Sequence, residues 1–147
     1  MRLAAVLALG VVLALAACKS HKAVPVDTSE SSEIPREVAL ERLSALLPTA
    51  ELIYCTLPKH SLKQSDVKAL IVRPDCIEID HGKEKHLTLN YADIVAVNLE
   101  MVGKHFTARV FTLAQNEKDK EHFGFQWRME DSAKRAVELL ASLVKKK

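Results

Sequence analysis

The residues of this chain whose types suggest chemistry are its cysteines and histidines. Three cysteines and six histidines occur among 147 residues. Cys18 stands apart from Cys55 and Cys76 because it ends a long apolar run and directly follows Leu15, Ala16 and Ala17. A thiol can be modified covalently, oxidised or bound to a metal. The surroundings of each cysteine therefore decide which of these reactions is open to it.

The apolar run before Cys18 predicts a segment that is removed after export. It has one positive residue, Arg2, and continues from Leu3 to Ala17 without a charged or polar side chain. About 20 apolar residues are needed to cross a bilayer, and this stretch is shorter, which favours a secretion signal over a permanent span. An amphipathic core helix would show a polar face, and this run has none.

The sequence Leu15-Ala16-Ala17-Cys18 resembles the lipobox of bacterial lipoproteins. The resemblance implies cleavage between Ala17 and Cys18, and a mature chain that carries acyl chains such as palmitate on the thiol and the amine of Cys18. Several acyl chains anchor a protein stably, since each buried methylene contributes about 0.8 kcal/mol. Lys19 and Ser20 follow the cysteine in place of aspartate, which by the same resemblance implies the periplasmic face of the outer membrane, or the outside of the cytoplasmic membrane if the producer is Gram-positive.

The mature chain divides into a tether and one domain. Residues 18–35 are rich in Ser, Lys, Glu and Pro, and this composition predicts a lipidated, flexible tether with a reach of roughly 20 Å. Residues 36–147 are enough for a single domain.

Charge excludes one class of partner. The whole chain has 21 basic and 19 acidic residues, so the mature chain is close to neutral and lacks the clustered charge of a nucleic-acid surface. We interpret the one positive run, residues 145–147, as a solvated helix end.

Two amphipathic helices are predicted at the ends of the domain. The first begins at Pro35 and is terminated by Pro48; its apolar stripe is Ala39, Leu40, Leu43, Leu46 and Leu47. The second follows Asp131 as a plausible N-cap, and its stripe is Ala133, Ala136, Val137, Leu140, Leu143 and Val144.

Seven segments between the helices have strand character. They are residues 51–57, 67–73, 76–80, 86–91, 94–101, 105–113 and 121–127. Several alternate at period two, which predicts one buried face for each set: Leu87, Leu89 and Tyr91; Val95, Val97, Leu99 and Met101; and Phe123, Phe125 and Trp127. The breaks between them are hairpin-sized, which predicts antiparallel pairing. The expected fold is mainly β (α+β).

The segments LNYADIVAVNLE (89–100) and FGFQWRMEDSAKRAVELLASL (123–143) resemble the centre and the last strand and helix of pleckstrin-homology-like domains. The resemblance implies about seven antiparallel strands in a barrel or bent sheet, with a C-terminal capping helix; the short N-terminal helix is additional. The alternative is a small α+β open sheet with helices on one face. Phosphoinositide readers of this fold use a basic first hairpin, whereas residues 65–80 mix Lys68 and Arg73 with four acids.

Few features suggest catalysis. Only Gly82, Gly103 and Gly124 remain after the signal, so neither a glycine-rich phosphate loop nor a Gly-x-Ser-x-Gly elbow exists. His60, His81, His86, His105 and His122 are scattered, and we interpret them as exposed strand residues in preference to zinc ligands. No metal site, cofactor or catalytic residue is predicted.

The remaining cysteines and the aromatic residues leave two questions open. Cys55 and Cys76 could form a disulfide in an oxidising compartment, although two separate thiols are slightly favoured because Cys76 alternates with Ile77 and Ile79. Phe123, Phe125 and Trp127 could line a ligand pocket, although they are more typical of a core beneath the C-terminal helix.

These observations predict a membrane-anchored envelope lipoprotein whose domain is a non-catalytic binding or scaffolding module with an envelope protein partner. The first alternative is a carrier of a lipid or small amphiphile, which requires a cavity. The second is a metal-dependent enzyme that uses His86, His105 or His122.

Overall fold

A computed structural model describes residues 21–55, 60–63, 66–82, 86–112 and 122–145. Nine strands lie in these ranges: β1 (His21–Val24), β2 (Leu52–Cys55), β3 (His60–Lys63), β4 (Ala69–Val72), β5 (Cys76–Asp80), β6 (His86–Asn90), β7 (Ile94–Val102), β8 (His105–Thr112) and β9 (His122–Trp127). The two α-helices are α1 (Arg36–Leu46) and α2 (Glu130–Lys145). Short 3-10 helices are Ser29–Glu33, Leu47–Thr49 and Tyr91–Asp93.

The strands form two antiparallel sheets. The larger sheet has six strands in the order β1-β7-β8-β9-β2-β3, and the smaller has three in the order β4-β5-β6. The predicted mainly β (α+β) fold with an N-terminal and a C-terminal helix is confirmed, and each of the seven predicted strands is present. Among the described residues both sheets keep open edges, so the strands do not close into a barrel.

The segment 18–35 differs from the flexible tether that its composition suggests. Its described part begins with β1, which pairs with β7 through four successive residues and becomes the edge of the six-stranded sheet. Val24, Val26 and Ile34 pack against the core, and Ser31 in the following 3-10 helix is buried. The polar composition of this segment predicted disorder because it contains few apolar side chains. Those few side chains pack against a sheet edge that the local sequence does not reveal.

The first residues of β7 depart from the alternation that the sequence predicts. Ile94 pairs with Thr112 and Ala96 with Phe111, which leaves Val95 as an extra residue in a β-bulge. The prediction that Val95 shares the core face with Val97 and Leu99 is therefore wrong, and its side chain is 57% exposed. Ile94 is buried in its place.

One core lies between the two sheets and the helices. The inner face of the six-stranded sheet contributes Leu99, Ala108, Val110, Phe123, Phe125, Trp127 and Ile53. The smaller sheet contributes Ile77, Ile79, Leu87 and Leu89. Burying each large apolar side chain is worth about 1.5–3 kcal/mol, and this core therefore supplies most of the favourable free energy of folding.

Helix α2 buries a wide stripe against this core. Its predicted positions Ala133, Ala136, Val137, Leu140 and Leu143 are all buried, and so is Leu139. The N-cap prediction at Asp131 is wrong, because α2 already begins at Glu130. Both acids lie in the first turn, where a negative charge is favourable at the positive end of the helix dipole. Neither α1 nor α2 has the length and apolar content to cross a membrane.

Candidate functional site

The predicted anchor lies just before the described chain. Ala17 and Cys18, the residues of the predicted cleavage and lipidation, lie outside the described residues. Strand β1 begins at His21, three positions after Cys18. Whatever Cys18 attaches to is therefore covalently close to the edge of the six-stranded sheet.

The side of the six-stranded sheet that points away from the helices forms a polar and aromatic surface, which we call the outer face. Four strands contribute to it in register, since Tyr54 pairs with Gly124, Gly124 with Arg109, and Arg109 with Asn98. The next row contains Glu100, Thr107, Gln126 and Leu52. Gln126 Nε2 donates a hydrogen bond to Thr107 Oγ1 at 3.2 Å. No helix of the described residues covers this face.

Tyr54 and Gly124 fit together at the centre of the outer face. The aromatic ring of Tyr54 occupies the space that a Cβ at position 124 would fill. Only a glycine permits this placement, because any side chain there would overlap the ring carbons. Burial raises the pKa of the Tyr54 phenol above its ordinary value, partly offset by the positive charge of Arg109. The phenol is therefore neutral at pH 7 and able to donate a hydrogen bond.

Arg109 joins the aromatic and acidic parts of the outer face. Its Nη1 donates to both carboxylate oxygens of Glu100, at 2.9 and 3.1 Å. The guanidinium also lies 4.9 Å from the centroid of the Phe111 ring, a cation–π distance. Because the side chains of Arg109 and Glu100 are only 22% and 14% exposed, solvent screens this pair less than a surface ion pair.

A second polar cluster connects α1, the turn between β4 and β5, and the end of α2. Arg36 donates hydrogen bonds to the carbonyl oxygens of Pro74 and Leu143, the latter at 3.4 Å, and its guanidinium lies 5.8 Å from the centroid of the Tyr91 ring. The hydroxyl of Tyr91 donates to the Arg73 carbonyl at 3.0 Å. These bonds satisfy backbone carbonyls at helix and strand ends, which is a structural task.

Cys55 and Cys76 are both buried and not joined by a disulfide. Cys76 is only 6% exposed and lies close to Asp75 and Tyr91. Burial raises the pKa of the Cys76 thiol, and the carboxylate of Asp75 raises it further through its charge and a hydrogen bond. A thiol with a raised pKa is a poor nucleophile.

The histidines whose side chains the structure describes, His81, His86 and His105, lie on different strands or strand ends. His86 is exposed on β6, as its alternation predicts, whereas His81 is half-buried at the end of β5. His105 Nε2 lies 3.6 Å from a carboxylate oxygen of Glu51. His60 and His122 lie on β3 and β9, but their side chains are outside the described residues. In the described part of the chain, no group of three or more His, Cys, Asp or Glu side chains is arranged to hold a metal.

The three aromatics of β9 lie in the core beneath α2. Phe123, Phe125 and Trp127 are at most 4% exposed, and Trp127 Nε1 donates to Thr49 Oγ1 at 3.0 Å. They therefore do not line an open ligand pocket. An open cleft of about 460 Å³ lies elsewhere, between the segment that begins at the end of β1, the middle of β7 and Val137 of α2. Its apolar lining consists of Ala23, Val24, Pro25, Val26, Val97, Leu99 and Val137.

Comparison with protein-family models, with curated proteins and with solved structures found no match of this chain to any of them.

Sequence reasoning missed the outer face. Tyr54 is distant in sequence from Arg109 and Gly124, which lie on two further strands, and each residue alone is typical of an ordinary strand. The available signal was Gly124 in the middle of an aromatic strand, since a glycine inside a strand often marks a close approach by another group.

Proposed function

We propose that this protein is a membrane-anchored envelope lipoprotein whose domain binds a protein partner without catalysing a reaction. The observation that carries the proposal is the sequence Leu15-Ala16-Ala17-Cys18 at the end of an uninterrupted apolar run. Acylation at Cys18 would confine the domain to a membrane surface and so raise its effective concentration for partners there. Lys19 and Ser20 after the cysteine favour the periplasmic face of the outer membrane.

We assign the domain to the pleckstrin-homology-like type as part of the same proposal. Two antiparallel sheets and a C-terminal helix over a shared core support this assignment. In this chain the hairpin that phosphoinositide readers make basic has Arg73 Nε paired with Glu78 at 2.8 Å. That pairing favours a protein partner over a phosphorylated head group.

The outer face is the binding surface that this proposal favours. Tyr, Phe and Arg are enriched at protein interfaces, and Tyr54, Phe111 and Arg109 lie together here. All three are partly exposed and held in place by neighbouring strands. A surface that is already ordered loses little conformational entropy when a partner binds.

The anchor is tested by replacing Cys18 with Ala in the full chain. Labelling with a radioactive fatty acid should disappear, and the protein should move from the membrane fraction to the soluble periplasmic fraction. Unchanged labelling of the Cys18→Ala variant would exclude lipidation at this residue.

The binding surface is tested by photo-cross-linking in intact cells. A benzophenone amino acid at Phe111, on the outer face, should yield discrete cross-linked protein adducts. The same probe at Glu41, an exposed position of α1, is the matched control. Equal adducts at both positions, or none at Phe111, would contradict the assignment of the outer face.

A carrier of a small amphiphile is the second candidate function, and the cleft beside the end of β1, lined also by β7 and Val137 of α2, is the observation that favours it. Its volume of about 460 Å³ lies within the range of small-molecule sites. Native mass spectrometry of the Cys18→Ala variant, purified without detergent, should show a discrete added mass if the cleft carries a ligand. A clean unliganded mass would remove this candidate.

A further inference from the structure

Strand β1 fixes the direction from which the chain enters the domain. It is antiparallel to β7, with His21 opposite Val102 and Val24 opposite Leu99. Strand β7 runs toward the β7–β8 hairpin, whose tip is Gly103 and Lys104. The residues that precede β1 therefore enter from the hairpin end of the six-stranded sheet.

Covalent geometry limits how far Cys18 can lie from this hairpin. Only Lys19 and Ser20 separate Cys18 from His21. Consecutive Cα atoms are 3.80 Å apart, so the three steps from Cys18 to His21 span at most about 11 Å. The paired Cα atoms of antiparallel strands add about 5 Å, which places the Cα of Cys18 within about 16 Å of that of Val102.

The docking of β1 does not depend on backbone pairing alone. Val24 and Val26 pack against the core beyond the strand, and the following 3-10 helix buries Ser31. The chain then enters α1, whose Ala39 and Leu43 are fully buried. Because the segment from His21 onward is held at several points, only Lys19 and Ser20 separate Cys18 from the docked part of the chain, in place of the tether of residues 18–35 that composition suggests.

We propose that the β7–β8 hairpin end of the six-stranded sheet is the surface of the domain that rests on the bilayer. This inference rests on the proposed function, specifically on acylation of Cys18. A two-residue link holds this end against the lipid head groups, whereas a long tether would let the domain turn freely. The occupant of the surface is the membrane that holds the acyl chains.

The side chains at this end suit contact with head groups. Lys104 at the hairpin tip and Lys22 in β1 are exposed, and Arg128 after β9 is 75% exposed in its side chain. Met129, beside Arg128, is 66% exposed, the highest value among the large apolar residues that the structure describes. Glu51, whose Oε2 lies 3.4 Å from Arg128 Nε, and the exposed Glu130 and Asp131 in the first turn of α2 balance this positive charge. The acyl chains, more than net charge, therefore hold this surface to the bilayer.

The opposite end of the sheet is then directed away from the membrane. Strand β7 is nine residues long, and a rise of about 3.3 Å per residue separates Ile94 from Val102 by about 26 Å. The exposed bulge residue Val95 lies at this distal end. A label at Val95 is therefore a matched control for a label at Lys104.

The test uses the full lipidated chain in phosphatidylcholine vesicles that contain a lipid with a nitroxide on its head group. A fluorophore is attached to a cysteine introduced by Lys104→Cys or Val95→Cys; the native Cys55 and Cys76 are buried. We expect quenching at position 104 to be at least threefold stronger than at position 95. Equal quenching at the two positions, or stronger quenching at 95, would overturn the inference.

A linker insertion separates the effect of the anchor from that of the label. Twelve Gly and Ser residues placed between Ser20 and His21 give a free link with a reach of roughly 20 Å. Quenching at position 104 should then fall toward that at position 95. Undiminished quenching would show that the label itself seeks the bilayer, and would overturn the inference.

The same preparations distinguish failure of the orientation from failure of the proposed function. The mass of the N-terminal peptide reports whether Cys18 carries acyl chains. An unmodified Cys18 would refute both the lipoprotein assignment and the orientation. A lipidated protein with equal quenching at both positions would refute the orientation alone.

Discussion

The ring of Tyr54 on β2 lies across the backbone of Gly124 on β9, in the volume that a Cβ at position 124 would occupy. The contact joins two neighbouring strands on the outer face and places the phenol near Arg109 on the next strand. The absence of a side chain at position 124 is therefore a condition for the arrangement of the proposed binding surface.

Replacing Gly124 with Ala should destabilise the domain by about 2 kcal/mol, because the new methyl group forces Tyr54 or the strand to move. Urea denaturation followed by circular dichroism measures this loss. The Tyr54→Ala variant is the matched background, since the ring that causes the overlap is gone. In the Tyr54→Ala background, Gly124→Ala should lower the free energy of unfolding clearly less than in the parent. An equal loss in both backgrounds would contradict the proposed contact.

Replacing Arg109 with Met should destabilise the domain by about 2 kcal/mol, because the mostly buried carboxylate of Glu100 loses its charged hydrogen-bond donor. Arg135 is the control, since it lies 4.0 Å from Glu138 and its side chain is 58% exposed. Arg135→Met should change the free energy of unfolding by at most about 0.5 kcal/mol. Equal losses in the two variants would show that burial does not strengthen the Arg109–Glu100 pair.

Stability should fall as the pH rises above about 10, the ordinary pKa of tyrosine. Burial raises the pKa of Tyr91 in the folded state, so the unfolded chain releases this proton first and gains free energy from ionisation. The loss due to Tyr91 should reach about 1 kcal/mol near pH 11.

The Tyr91→Phe variant tests this dependence. At pH 7 it should be about 1 kcal/mol less stable than the parent, because the hydrogen bond to the Arg73 carbonyl is lost. Between pH 10 and 11 its stability should fall less than that of the parent, so the two urea midpoints converge. Parallel curves over this range would mean that Tyr91 ionises alike in folded and unfolded chains.

The two buried thiols should resist alkylation in the folded protein. Cys55 and Cys76 are 3% and 6% exposed, and the raised pKa of Cys76 lowers its thiolate fraction further. At pH 8, iodoacetamide should modify each of them at least roughly tenfold more slowly than in urea-unfolded protein. The introduced thiol of Lys104→Cys is the exposed control. Rapid modification of Cys76 in the native state would contradict its described burial.

Local patterns in the sequence were sufficient for most of the secondary structure. The stripe from Ala133 to Leu143 predicted the buried face of α2, because residues three and four apart share a helix face. Alternation predicted the buried positions Leu87 and Leu89 in β6 and the aromatics of β9. The stretch Leu15-Ala16-Ala17-Cys18, which resembles a lipobox, is equally local, and the proposed location rests on it.

Only the tertiary structure decided which distant residues meet. The bulge at Val95 depends on how β7 pairs with β8, and the docking of β1 depends on an open edge of β7 nearly eighty residues later in the chain. The outer face likewise requires β2, β9, β8 and β7 to lie side by side. Periodicity reports whether a side chain is turned toward a core, since burial follows the local backbone repeat. It contains no information about which strand lies alongside, because that choice is made by packing between segments far apart in sequence.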